Sequence, residues 1–232
     1  MFIPVHECLT ACVRPLRAFS GLKRWGGLAR HAELGYAEVV RYRSELKRDA
    51  AFQEHLRGCL ADVSYVFPEA AELYAVVRAA RPQVVVETGV AGGISSAHIL
   101  RALARNGTGA LFSIDLPNVQ AGSRLPQGRA SGWIVPEALR GAWRLELGDS
   151  RELLPGLLAE LDQLDLFLHD GDHSYENMRF EFGQAYPRLG EGGLLLSDDT
   201  HLHTAWDDFC AERGLPANRV GHLGVLRKRR SL

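Results

Sequence analysis

Two short stretches hold most of the side chains able to do chemistry. His169-Asp170-Gly171-Asp172-His173 follows the apolar run Leu166-Phe167-Leu168, and Ser197-Asp198-Asp199-Thr200-His201 follows Leu194-Leu195-Leu196. If the two runs are neighbouring strands, Asp170, Asp198 and Asp199 converge at one rim. Three carboxylates held close repel, so at least one is protonated or a cation binds among them. An oxygen-only ligand set favours Mg2+, Ca2+ or Mn2+ over zinc. Such an ion acts as Lewis acid and template, lowering the pKa of an acceptor hydroxyl whose vicinal oxygens it chelates. His173, three residues past Asp170, is the candidate general base, because the ordinary imidazole pKa lies near physiological pH. His169, His201 and His203 crowd the same rim and keep that assignment open, and Asp172 can replace Asp170 as a ligand. The plain alternative is a loop of solvated carboxylates.

A second set lies earlier in the chain. Val84-Val85-Val86-Glu87-Thr88-Gly89-Val90-Ala91-Gly92-Gly93-Ile94-Ser95-Ser96 reads as a buried strand, an acid, a glycine-rich turn and the start of a helix. Glycines let backbone approach a ligand where a Cβ would collide. The dinucleotide fingerprint needs glycine where Ala91 and Ile94 stand, and the phosphate loop of nucleotide hydrolases needs a Gly-Lys-Ser/Thr ending that is missing here. No basic residue lies between Val84 and Ala97. The turn therefore suits a ligand with a ribose and positive charge but no phosphate, and S-adenosylmethionine (AdoMet) is such a ligand. Asp115 ends the next apolar run, roughly twenty residues past the turn, where an acid can accept both ribose hydroxyls. In Gly148-Asp149-Ser150, Asp149 can accept from an adenine amino group, and Ser150 can both donate and accept. Against this stand a tight turn that binds nothing and, for Asp149, a simple helix cap.

The elements that would position these groups alternate. Strands are expected at Val84–Glu87, Ala110–Asp115, Trp143–Leu147, Asp165–His169 and Gly192–Ser197. Helices are expected at Ile94–Arg105, Ser150–Leu161, after the cap Ser174, and at His203–Arg213. Residues 217–228 have room for a short terminal hairpin. The pattern is an α/β, Rossmann-like, doubly wound and mostly parallel sheet with helices on both faces, whose function gathers at the carboxyl ends of the strands. Residues 66–232 are drawn as this domain, and residues 1–65 as a helical N-terminal extension serving as a cap or a homodimer interface. Within the extension, Trp25-Gly26-Gly27 reads as a turn, Ala37–Leu60 as one helix, and Glu69–Ala80 as another opened by Pro68. Pro187 is expected to break the last turn of its helix. The Asn118–Gly141 connection is long and rich in Gly, Pro and Ser, and leaves the binding end of the sheet. It reads as a substrate lid or a surface loop. Trp133, Tyr175 and Trp206 are candidates for the acceptor pocket.

Composition sets the outer limits. The chain has 232 residues, 46% hydrophobic and 24% charged, with net charge −1, enough for one sizeable core and poorly matched to a dedicated nucleic-acid binder. The basic residues gather in the first 48 positions, nine Lys/Arg against four Asp/Glu, and in the tail Arg227-Lys228-Arg229-Arg230. Cys8, Cys12, Cys59 and Cys210 show no zinc spacing and fit free thiols in a cytoplasmic protein. No membrane span or signal peptide is expected.

Taken together, Glu87-Thr88-Gly89, Asp115, Gly148-Asp149-Ser150 and His169–His173 resemble class I AdoMet-dependent methyltransferases over about residues 66–228. The resemblance is closest to small-molecule O-methyltransferases of the catechol, macrolide-sugar and cephalosporin-hydroxylase-like groups. It implies a methionine-binding loop at Glu87, Gly89, Ala91 and Ser95, a ribose acid at Asp115, and adenine contacts at Asp149 and Ser150. Gly92 and His169 complete the expected cofactor set. Metal-dependent members carry one acid after strand four and an acidic pair after strand five, which implies Mg2+ on Asp170, Asp198 and Asp199. Catechol-type members have lysine where His173 stands. The function expected is methyl transfer to a hydroxyl of a small molecule. An RNA or protein methyltransferase, or a non-catalytic AdoMet-binding partner of another enzyme, are the alternatives.

Overall fold

The computed structural model describes residues 18–61, 63, 67–117, 125, 126 and 128–229. Cys8, Cys12, Arg230 and the first part of the long connection, 118–124, lie outside the described residues.

Apolar β-rich runs form the centre. Val84–Thr88 (β1), Ala110–Asp115 (β2), Trp143–Leu147 (β3), Leu164–His169 (β4) and Leu189–Ser197 (β5) lie parallel in the order β3-β2-β1-β4-β5. An antiparallel hairpin, Arg219–Val220 (β6) and Leu223–Arg227 (β7), adds to the far side of β5 through β7. Alternate residues serve two cores, as strand geometry requires. Val85, Leu111, Leu166 and Leu194 pack on one face, and Val86, Phe167 and Leu195 on the other. Burial of each such side chain contributes about 2 kcal/mol.

The first face is covered by helices Ala18–His31 (α1), Tyr36–Arg48 (α2), Ala50–Leu60 (α3), Ala70–Ala80 (α4) and Ile94–Asn106 (α5). The second is covered by Ser150–Leu161 (α6), Tyr175–Arg188 (α7) and Ala205–Ala211 (α8). The strand order reverses between β1 and β4, and a crevice opens there at the carboxyl ends of the strands.

Several local expectations are corrected. Gly26 and Gly27 do not form a turn: α1 runs through them. Two glycines cost a helix about 2 kcal/mol, but Trp25, Leu28, Ala29 and Ala32 are buried in the first core, and that burial wins. The expected Ala37–Leu60 helix is two. Asp49 caps α3 by accepting from the Phe52 N–H and is drawn inward by Arg101 and Arg105 of α5. α7 continues through Pro187 to Arg188. Trp206 is wholly buried beside Phe182 and is core, not acceptor pocket. The basic tail is partly internal structure: Arg227 donates to the carbonyls of Ala32 and Glu33, and Lys228 to those of Pro187 and Leu189.

The later part of the long connection is scaffold. The N–H groups of Gly132 and Ile134 donate to the carbonyls of Ala91 and Gly92 at 2.8 and 2.9 Å, Ile134 is fully buried, and Glu137–Ala142 forms a 3-10 turn into β3. Trp133 packs against the first core with Arg129 over its ring.

Candidate functional site

The backbone ladder extends past the strand ends and sets the rim. Gly89 N donates to Ile114 O, Asp170 N to Thr88 O and Asp198 N to His169 O, each at 2.8 Å. Gly89 has φ +82, and a Cβ there would stand 2.0 Å from the Asp170 carbonyl oxygen. Its glycine is required by the next strand's loop. Ala91, at φ +45, takes the left-handed conformation without being glycine.

The crevice is a cleft of about 760 Å3, bordered at one end by Asp115, Asp149 and Ser150 and at the other by Asp170, His173 and Asp199. That volume is in the range of small-molecule sites. Gly89, Ala91 and Ser95 line it between the two ends. Asp115 Oδ1 accepts from the Val90 N–H at 3.2 Å, so the ribose candidate is fixed by the glycine turn itself. Asp149 both lines the cleft and caps α6, accepting from Arg151 N at 2.8 Å.

Three expected cofactor residues are placed elsewhere. Glu87 is wholly buried off the cleft: its Oε1 accepts from Ser95 at 2.6 Å, and its Oε2 from Ser96 and Ser113 at 2.7 and 2.8 Å. Burial pushes its carboxyl up to about 7 in spite of those hydroxyls. It supports the turn from behind. Gly92 is buried and does not line the cleft; its carbonyl holds Ile134. His169 is fully buried, its Nδ1 on Glu181 Oε2 at 2.6 Å.

Glu181 went unnoticed in the sequence. It is buried at the cleft floor, where it gathers Thr88 Oγ1 at 2.5 Å, Asn177 Nδ2 at 2.9 Å, His169 and the Ser150 hydroxyl. Burial raises its pKa, but His169 and these hydrogen bonds outweigh it and the net shift is downward. The available signal was an acid on the buried stripe of α7, between Met178 and Phe182. Leu116, 49% exposed, and Phe67 supply apolar cleft lining that was also missed.

The histidines separate by environment. His203 uses both ring nitrogens internally, Nε2 on the His173 carbonyl at 2.5 Å and Nδ1 accepting from Ala205 N. His173 lines the cleft, its Nε2 3.8 Å from Asp170 Oδ1 and 3.9 Å from Asp199 Oδ2. Asp172 is engaged with the Ser174 N–H and hydroxyl, capping the entry to α7. Tyr175, 37% exposed, bonds Asp208 outside the cleft lining.

Asp170, Asp198 and Asp199 all line the cleft. Asp198 is buried, its Oδ1 has no hydrogen-bond partner, and burial together with the neighbouring Asp199 charge pushes its carboxyl up to about 6. A cation relieves such an oxygen. Among the described residues, however, the ligand set whose donor atoms all lie within 4.8 Å of one another is Asp199, His201 and His222, not the three carboxylates.

Known proteins share this architecture. The S-adenosylhomocysteine-bound methyltransferase PaMTH1 of Podospora anserina aligns with TM-score 0.56 and 12% identity over 78% of this chain and 88% of its own. The O-methyltransferase TomG of Streptomyces achromogenes, involved in tomaymycin synthesis and solved with AdoMet, aligns at 0.50 and 21% over 76% and 77%. The calicheamicin methyltransferase CalS11 aligns at 0.50 and 18% over 92% and 93%. No relative is found among curated proteins by sequence. A family model described as "Methyltransferase domain" matches residues 86–200, the stretch that runs from β1 to the end of the β5 loop and holds nearly the whole cleft. By that match residues 86–200 are a methyltransferase domain, so the chain is an enzyme, and its fold is the Rossmann-like one of the AdoMet-dependent methyltransferases.

Proposed function

We propose that this enzyme methylates a hydroxyl oxygen of a small acceptor, with AdoMet as methyl donor. The observation that carries the reading is the division of one cleft into a carboxylate end suited to a nucleoside and an imidazole–carboxylate end suited to deprotonating an alcohol. Asp115 would accept the ribose hydroxyls, Asp149 and Ser150 would face the adenine with Leu116 packing beside it, and the backbone at Gly89 and Ala91, with Ser95, would border the methionine moiety. At the other end His173 Nε2 takes the acceptor proton. The acceptor oxygen then forms a bond to the methyl carbon as the carbon–sulfur bond breaks, and the electron pair neutralises the sulfonium. Asp170 and Asp199 flank the resulting imidazolium and stabilise it. Alignment and exclusion of water supply the remaining rate enhancement.

Asp170, Asp198 and Asp199 would hold an oxygen-preferring ion such as Mg2+ if their carboxylates drew together from the spacing seen here, and the unpartnered Asp198 oxygen supports this. When bound, such an ion supplies Lewis acidity for the acceptor oxygens. The related biosynthetic O-methyltransferases of this fold agree with a small natural-product acceptor. Calorimetric titration of Asp115→Ala with AdoMet tests the site. Loss of two charge-assisted hydrogen bonds weakens binding by about 100-fold or more, and unchanged affinity would remove Asp115 from the ribose role.

A further inference from the structure

The two oxygens of Asp199 face different surroundings. Oδ2 lies on the cleft side, 3.9 Å from His173 Nε2. Oδ1 lies 3.7 Å from His201 Nδ1 and 3.7 Å from His222 Nδ1. The two imidazole rings are 4.0 Å apart at their centroids and tilted by 35°.

These residues come from separate parts of the chain and are pinned together. His201 follows β5, while His222 sits in the turn of the β6–β7 hairpin. Between them Thr200, almost fully buried, donates its hydroxyl and its N–H to the His222 carbonyl at 2.8 and 3.2 Å. Arg219 donates to the Thr200 hydroxyl and carbonyl at 3.0 and 3.2 Å and is held by Asp207. Asp199 itself is kept at φ +50, a conformation that costs a non-glycine residue energy and persists only when its surroundings enforce it. Next in the chain, Asp198 keeps a buried oxygen without a hydrogen-bond partner and feels the charges of both Asp199 and His222.

We propose that Asp199 Oδ1, His201 and His222 form a divalent-metal site on the outer lip of the cleft that prefers Zn2+, Co2+ or Ni2+ to Mg2+. Two imidazoles and one carboxylate are the donors such ions favour, whereas Mg2+ demands oxygen. Donors about 2.1 Å from a tetrahedral zinc ion stand about 3.4 Å apart; the two Asp199–imidazole spacings of 3.7 Å need only a small contraction, and all three donors lie within 4.8 Å of one another. This site uses the oxygen of Asp199 that points away from His173, and it does not rest on the methyl-transfer reading.

The test is a titration of the untagged full-length protein with Co2+, followed by visible absorption. One tight equivalent is expected that a Mg2+ excess of about 100-fold does not displace, whereas an ion held on Asp170 and Asp198 would exchange with Mg2+. His201 and His222 are about half exposed, so His201→Gln and His222→Gln fold, and each weakens Co2+ binding by about tenfold or more. Equal Co2+ affinity in both variants and the wild type, or ready displacement by Mg2+, would overturn the proposal. A wild-type protein that binds Co2+ in this manner but fails to bind AdoMet would overturn the proposed function and leave this site standing.

Discussion

Replacing Glu87 by glutamine separates an internal support from a ligand contact. The carboxylate is inaccessible and engaged by three serine hydroxyls. Burial raises its pKa from 4.5 to about 7. Between those values the folded protein keeps a proton that the unfolded chain has released. The stabilisation is therefore complete below pH 4.5 and is lost as pH rises through 7. At about 1.4 kcal/mol per pH unit while the difference persists, the loss between pH 5 and pH 8 comes to about 2–3 kcal/mol. Glutamine carries no charge at either pH, and the serine hydroxyls can rotate to meet its amide. The stability of Glu87→Gln relative to wild type should therefore improve by about 2–3 kcal/mol from pH 5 to pH 8, measured by urea unfolding of both proteins. Its AdoMet affinity by calorimetry should stay within about threefold of wild type, a change under about 1 kcal/mol. A stability gap independent of pH would refute the burial argument. A tenfold loss of AdoMet affinity at unchanged stability would put Glu87 back in the ligand shell.

Two further changes probe the scaffold. Asp49→Ala removes the α3 cap and leaves Arg101 and Arg105 without their buried partner, and should cost about 3 kcal/mol in denaturant unfolding. Ala91→Gly relieves a left-handed alanine at φ +45, which outweighs the added chain entropy by a fraction of a kcal/mol, and should raise Tm by about 2 °C in calorimetry.

The sheet was legible because its strands are continuous apolar runs. Val84-Val85-Val86 and Leu194-Leu195-Leu196 can be buried only by cover on both faces, and the polar residue ending each run marks the rim. Asp115, Asp149, Asp170, His173 and Asp199 were found this way and do line the cleft. What escaped depended on partners distant in sequence. Glu87 shares the face of β1 that carries Val85, and an acid on that buried face is held only because Ser95 and Ser96 of α5 and Ser113 of β2 meet it there. The break at Asp49 is decided by arginines some fifty positions later. His222 sits in a short hairpin of unremarkable composition, and only the pairing of β7 with β5 brings it beside Asp199.

The two ends of the cleft are held by different kinds of bond, and this bears on how such a site can change. The end at Asp115 and Asp149 rests mainly on backbone, Gly89 on Ile114 and Gly132 and Ile134 on the glycine turn, with the Val90 N–H on the Asp115 carboxylate. Side-chain identity there is restricted mainly by space, which is why an alanine can occupy position 91. The end at His173 and Asp199 rests on side chains: His203 on the His173 carbonyl, Thr200 on the His222 carbonyl, Arg219 on Thr200 and Asp207. Substitutions in 199–203 or 219–222 can therefore remodel that rim without breaking any hydrogen bond that shapes the glycine turn. The ladder bond from Asp170 to Thr88 joins the two ends, so such remodelling still leaves His173 and the glycine turn in register.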